Sequence, residues 1–220
     1  IYSVGKVFMI NKQYFVKTPS ILKPIMGDML WNIDSKKKEL FLTFDDGPTP
    51  RVTEWVLDIL SSFEAQATFF CLGKNVEQFP EIYQRIIDEG HVVGNHTYDH
   101  PNGWKTKDSS YCNNVKQCSE LVDSKLFRPP YGKISRSQHK VLKDDYTIVM
   151  WDVLSGDFDL SITPEKCLGN VISNSSKGSI IVMHDSLKAE KNLRYALPKM
   201  LDHFTSDGFM FKNLGQLYGG

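Results

Sequence analysis

The sequence predicts an α/β fold, a distorted (β/α)7 barrel of the TIM type in a single domain. Three observations carry this reading. Seven short apolar, β-rich runs alternate with stretches of helical periodicity, which implies a parallel sheet, closed or nearly closed. The 220 residues suit one domain, and 41% apolar content is enough for a sizeable core. The unusual polar residues fall where the runs end, and in such barrels the loops at strand ends converge on one mouth.

The first run, Leu40–Phe44, is followed by Val52, Val56, Ile59, Leu60 and Phe63 at helical spacing, with Thr49 expected as N-cap and Pro50 at the first helical position. The runs Ala67–Cys71 and His91–Gly94 come next, then a helix carrying Cys112 and Cys118, then the runs Lys125–Arg128 and Tyr146–Trp151. Thr163-Pro164-Glu165 opens a further helix ahead of Ser179–Met183. A last helix over 193–204 is expected to stop at Gly208 before the final run, Phe209–Phe211. Residues 1–38 stay outside this rhythm and read as an N-terminal extension packing on the barrel of residues 39–220. The extension's aromatic residues, Tyr2, Phe8, Tyr14, Phe15 and Trp31, are expected to pack.

Composition excludes some functions. Basic and acidic residues number 26 each, and the zero formal net charge argues against a nucleic-acid partner. No apolar run approaches the length needed to span a bilayer. A chain that begins at Ile1 leaves room for a signal peptide or anchor removed upstream. Cys71, Cys112, Cys118 and Cys167 form no CxxC pair, and Cys112 and Cys118 point to different faces of their helix; all four read as small, mostly buried free thiols.

The stretch FLTFDDGPTP (Phe41 to Pro50) ends an apolar strand on two adjacent aspartates. Side-by-side carboxylates repel, and burying either is costly without a cation or donor in front of it. GNHTYDHP (Gly94 to Pro101) supplies two histidines four apart, a spacing that lets both imidazoles reach one ion. Two histidines and one carboxylate make a three-ligand site with open positions, suited to zinc or another divalent ion and to an activated water. The second aspartate then stays free to take a proton from that water. The competing reading is a plain turn at Asp45-Asp46-Gly47-Pro48 with a helix cap behind it.

TFDDGP, HTYDH, RPPYG (Arg128 to Gly132) and IIVMHD (Ile180 to Asp185) stand in the order seen in polysaccharide deacetylases. From Leu40 to about Leu217 the chain resembles the NodB-like domain of carbohydrate esterase family 4. The resemblance implies a metal-dependent hydrolase that removes N-acetyl groups from an N-acetylated glycan, of the peptidoglycan or chitin type, and releases acetate. It implies Asp45 as catalytic base, and Asp46 as the metal ligand that joins His96 and His100. Thr97 would shape the histidine loop, Arg128 would orient the base, and the Tyr131 N–H would help bind the oxyanion. His184 would be the general acid, with Asp157 as its partner raising its pKa. The implied cation is zinc first, with cobalt, manganese or nickel as alternatives.

WDVLSGDF (Trp151 to Phe158) departs from the family pattern, with Leu154 in place of a common Asp and Phe158 in place of Trp. The departure bears on the groove wall and the substrate range rather than on the chemistry. Asp152 reads as structural. Val182, on the His184 side of its strand, is a candidate with Ile180 for the acetyl slot. Tyr131, Phe158 and Trp104 are candidates for touching the sugar. Two other readings keep the scaffold: a hydrolase of small amides or cyclic imides, and a glycan-binding relative that has lost catalysis. The second loses weight because ligands, base and acid are all present. No protein partner is predicted. The compartment stays open, with glycan substrates favouring the cell envelope or exterior over the cytoplasm.

Overall fold

The computed structural model describes residues 14–21, 23 and 27–217, so Tyr2 and Phe8 lie outside the described residues. Strands β1 (Glu39–Asp45), β2 (Thr68–Cys71), β3 (Val92–Asn95), β4 (Leu126–Phe127), β5 (Thr147–Ile148), β6 (Val153–Leu154), β7 (Ile180–His184) and β8 (Met210–Lys212) form one curled parallel sheet. Its order is β5-β4-β3-β2-β1-β7-β6, with β8 also on β1. Around it run α1 (Val52–Ser62), α2 (Gly73–Gln78), α3 (Pro80–Asp88), α4 (Asp108–Ser119), α5 (Arg136–Leu142), α6 (Pro164–Ile172) and α7 (Glu190–Ser206).

This is the distorted (β/α)7 barrel expected from the alternation, with corrections. The seven-run reading misses β6, because two residues inside a polar loop set no alternation that a sequence can show. The sheet is also open: β5 and β6 are its two ends, and the N-terminal segment lies against both. Leu30 bridges to Val149 beside β5, Lys17 pairs antiparallel with Val153 of β6, and Asn32 pairs with Ser179. Edge groups that would otherwise stand unpaired are thereby covered.

All seven residues of β1 are buried, as a parallel strand covered on both faces requires. Its residues alternate. Leu40, Leu42 and Phe44 pack outward with Val56, Leu60, Leu197 and Met200 of the helices. Phe41 packs inward with Phe70, Leu126, Val149, Ile180 and Leu214. On that inward face Phe41, Thr43 and Asp45 run from apolar to charged toward the strand's C-terminal end, so the interior is dry at the base and polar at the mouth. The register aligns Phe41 with Ile180, Thr43 with Val182 and Asp45 with His184.

The first helix begins at Val52 rather than at Pro50. Arg51 is left-handed (φ 66°), so Thr49 and Pro50 end a turn instead of opening the helix, and the Glu54 carboxylate accepts the Arg51 N–H at 2.7 Å. At α6 the expected start holds, with the Thr163 hydroxyl accepting from Lys166 N. The last helix stops as expected at Gly208 (φ 77°): the Gly208 N–H reaches Thr205 O and the Phe209 N–H reaches Phe204 O, a Schellman close. All four cysteines are free, and three are buried.

In the N-terminal segment Trp31 is buried, whereas Phe15 is 64% exposed and does not pack as expected, because its neighbours Val16 and Thr18 take the backbone contacts to the sheet edge. Asp152 accepts from Lys17, from Lys23 at 2.9 Å and from Ser179 at 2.6 Å, and so fastens this segment to β7. Among the described residues no helix is long and apolar enough to cross a membrane.

Candidate active site

The loops after β1, β3, β4 and β7 meet at the C-terminal end of the sheet, and the first turn of α2 holds two of them. Asn75 donates to Asp46 O at 2.8 Å and Leu72 N to Gly47 O at 2.9 Å, while the N–H groups of Gly73 and Lys74 reach the carbonyls of Thr97 and Tyr98. Six non-glycine residues among those described are left-handed, and four of them, Asp46 (φ 83°), Thr97 (φ 69°), His100 (φ 68°) and Tyr131 (φ 60°), stand at this mouth. Such conformations cost about 1–3 kcal/mol each and persist where surrounding structure holds them.

Asp46, His96 and His100 bring one ligand atom each to within 4.8 Å of one another. His100 Nε2 lies 3.3 Å and His96 Nε2 3.8 Å from Asp46 Oδ1. His96 Nδ1 is 2.7 Å from the Arg128 carbonyl, so its N–H is spent there and the Nε2 lone pair faces Asp46. Burial, together with the neighbouring His96, pushes His100 down to about 4 against the pull of Asp46, so its imidazole is neutral and its lone pair is free at pH 7. One carboxylate oxygen and two imidazole nitrogens with room between them fit a divalent cation.

Asp45 is 4% exposed. Burial alone would raise its pKa, but the Arg128 guanidinium at 2.7 Å and the nearby His96 and His184 hold it below the usual carboxylate range. Arg128 is fully buried and spends its donors on Asp45 Oδ1, Thr43 Oγ1 and the carbonyls of Val149 and Met150, with Phe70 4.1 Å beneath its plane. His184 faces Asp157, whose carboxylate accepts from His184 Nδ1 and from its backbone N–H, both at 2.7 Å. Burial would lower the His184 pKa, but Asp157 outweighs it and raises the imidazole to about 9. At pH 7 Asp45 is therefore ionised and His184 protonated.

Tyr131 is 57% exposed, and its ring meets that of His100 edge-on, with the ring centres 4.5 Å apart. Phe158 packs edge-on against His184 at 5.0 Å and against Tyr14 at 5.2 Å. Trp104 is 65% exposed and is tied by its indole N–H to Ile134 O. Val182 is fully buried between Thr43 of β1 and Leu154 of β6.

Sequence reasoning missed two residues here. Tyr14, from the N-terminal segment, donates to Asp159 at 2.7 Å and reaches the Phe158 wall. Asp185 is fully buried under the β1 loop, where it accepts from Gly47 N at 3.1 Å and Thr53 Oγ1 at 2.6 Å; burial pushes it up to about 7. A Cβ on Gly47 would stand 1.9 Å from Asp185 Oδ2, so the glycine is what lets the carboxylate in. The repeated signal in IIVMHD was the histidine; nothing in the motif marks its neighbour as the loop's support.

The sequence profile described as polysaccharide deacetylase matches residues 32–147. A peptidoglycan-N-acetylglucosamine deacetylase of Bacillus cereus is 37% identical over 190 residues, covering 83% of this chain and 69% of the relative. The chitooligosaccharide deacetylase of Azorhizobium caulinodans is 34% identical over 161 residues, 70% of this chain and 76% of the relative. Among solved structures, the Bc1960 peptidoglycan N-acetylglucosamine deacetylase bound to a substituted N-oxidanyl-benzamide superposes with a TM-score of 0.83 at 34% identity, covering 91% of this chain and 97% of the other.

Proposed function

The chain belongs to the polysaccharide deacetylase family, carbohydrate esterase family 4, whose hydrolases remove N-acetyl groups from sugars, and we propose that its barrel mouth deacetylates N-acetylglucosamine units of a peptidoglycan or chitin-like glycan. The observation that carries this reading is the meeting of an Asp–His–His set, an arginine-paired Asp45 and an aspartate-paired His184 at one end of the sheet.

Asp46, His96 and His100 would hold a divalent cation, zinc first, which when bound polarises the acetyl carbonyl and lowers the pKa of a water. Asp45, ionised beside Arg128, accepts the proton of the attacking water. Arg128 does not itself take a proton; it keeps the carboxylate charged and aimed. The Tyr131 N–H, presented by its left-handed turn, donates to the oxygen that becomes negative, a contribution of about 3 kcal/mol for such a donor. His184 then gives its proton to the sugar nitrogen, since an amine anion is too poor a leaving group, and Asp157 holds it protonated until that moment. Acetate and a free amine result. Phe158, packed edge-on against His184, would bound the slot for the acetyl methyl, whereas Val182 is fully buried in the sheet and would only support it from beneath.

Acetate release from N-acetylglucosamine oligomers tests the reading. The zinc-loaded protein is expected to release acetate, and Asp45→Asn and His184→Ala to lose about a hundred- to ten-thousand-fold in kcat. Chelation should abolish release and added zinc restore it. A zinc-loaded wild-type protein inert on every N-acetylated oligomer would overturn the proposal.

A further inference from the structure

We propose that Lys133, Trp104 and Tyr131 form a subsite for a carboxylate-bearing sugar next to the one being deacetylated; this rests on the deacetylase reading and names what the neighbouring sugar carries. Lys133 Nζ lies over two exposed rings, 5.4 Å from the centre of Trp104 and 6.0 Å from that of Tyr131. Tyr131 in turn touches His100, so the ammonium stands one ring away from the reacting centre. None of the proton transfers uses it.

The platform is built rather than incidental. Trp104 is pinned by its indole N–H to Ile134 O, and the Gln138 amide donates to Gly103 O at 2.9 Å. Gly103 has no room for a side chain, since a Cβ there would stand 2.3 Å from Lys133 O, so the two loops are closed on each other. Tyr131 is held left-handed, and Lys133 N bonds back to Pro130 O at 3.0 Å.

What the platform lacks is an anion. Lys133 is half-buried, yet among the described residues no carboxylate lies within ion-pair distance of it, whereas Lys17 and Lys23 share Asp152. Ring faces attract a cation without neutralising it. Exposed aromatic rings beside an unpaired, positioned ammonium suit a pyranose stacked on the rings with a carboxylate turned to the nitrogen. A wholly neutral oligomer would leave the lysine unmatched.

The test is equilibrium binding by calorimetry to zinc-loaded Asp45→Asn protein, which leaves the oligomers intact. The probes are fully N-acetylated chitotetraose, which is neutral, a tetrasaccharide alternating N-acetylglucosamine with N-acetylmuramic acid, and a hyaluronan tetrasaccharide. At least one acidic probe is expected to bind more tightly than chitotetraose. That preference should fall about tenfold in Lys133→Gln, the loss expected for one charge-assisted hydrogen bond, and survive in Lys133→Arg. Lys188→Gln removes the ammonium that lies over Phe158 on the opposite flank and should change the preference far less. Because the preference is a ratio within each variant, loss of folded protein cancels. The muramic probe alone being preferred assigns the carboxylate to a lactyl ether; hyaluronan alone assigns it to the sugar ring. Equal affinities, a preference unmoved by Lys133→Gln, or an equal loss with Lys188→Gln would overturn the subsite. Because binding is read independently of acetate release, a protein that binds with this preference but fails the acetate assay keeps the subsite and loses the deacetylase reading.

Discussion

Arg128 shows how much one side chain carries. It is buried, stacked on Phe70, and it closes the bonds of Asp45, Thr43 and two carbonyls beside β5. Removing one partner from a buried pair strands the other. Arg128→Met is therefore expected to cost about 3–5 kcal/mol in urea unfolding, together with acetate release. His184 sets the pH behaviour. Its folded pKa of about 9 lies above the ordinary 6.5, so its pairing with Asp157 contributes fully below pH 6.5 and is lost as pH rises through 9. Under the proposed role of His184 as proton donor, activity should hold to the same alkaline limit. Asp157→Asn removes the charge that outweighs burial, and the alkaline limb of kcat against pH should move down by about 1–3 units.

At the scale of elements, the loop after β1 is shaped from below by Asp185 and from beside by α2. Gly47→Ala drives a Cβ into the Asp185 carboxylate, and Asp46 must shift with it. Zinc affinity measured by competition with a chelating dye should fall about 10–100-fold, with the helical circular dichroism retained. The same loop marks what the sequence discloses. Asp45, Asp46, His96 and His100 were legible because paired carboxylates and spaced imidazoles at strand ends have few other uses. Thr53 and Gly47, the partners of Asp185, lie 132 and 138 residues away from it, and no local pattern signals that contact. β6 escaped notice for a related reason: two residues acquire strand geometry only from β7 and the N-terminal segment on either side. The start of α1 was misplaced because Thr49-Pro50 has the chemistry of a helix start, and only the left-handed Arg51 shows otherwise.

Across the whole molecule, the open sheet depends on a segment that the strand rhythm leaves out. Lys17 and Lys23 meet on Asp152, next to the backbone pairings of Thr18 and Leu30 that cover β6 and β5. Burial would raise the Asp152 pKa, but Lys17, Ser179 and Lys23 outweigh it and hold it below the ordinary 3.8. Its contribution is thus present above pH 3.8 and disappears as pH falls through the lower folded value. Asp152→Ala is expected to cost about 1–3 kcal/mol near neutral pH, measured by urea unfolding, and to differ little from wild type in strong acid.

The alignment of Asp45 with His184 on neighbouring parallel strands has a consequence for how such a protein can change. The backbones that carry Asp45 and His184 stand one inter-strand step apart, about 4.8 Å, a spacing fixed by backbone hydrogen bonding. Loops can lengthen, shorten or be exchanged around the mouth without retuning that interval. A protein built on this arrangement can therefore vary its rim while the strand positions of Asp45 and His184 stay fixed, and grafting a relative's rim loops that keep the Asp157 partner should alter which oligomer is chosen before it alters how the amide is cut.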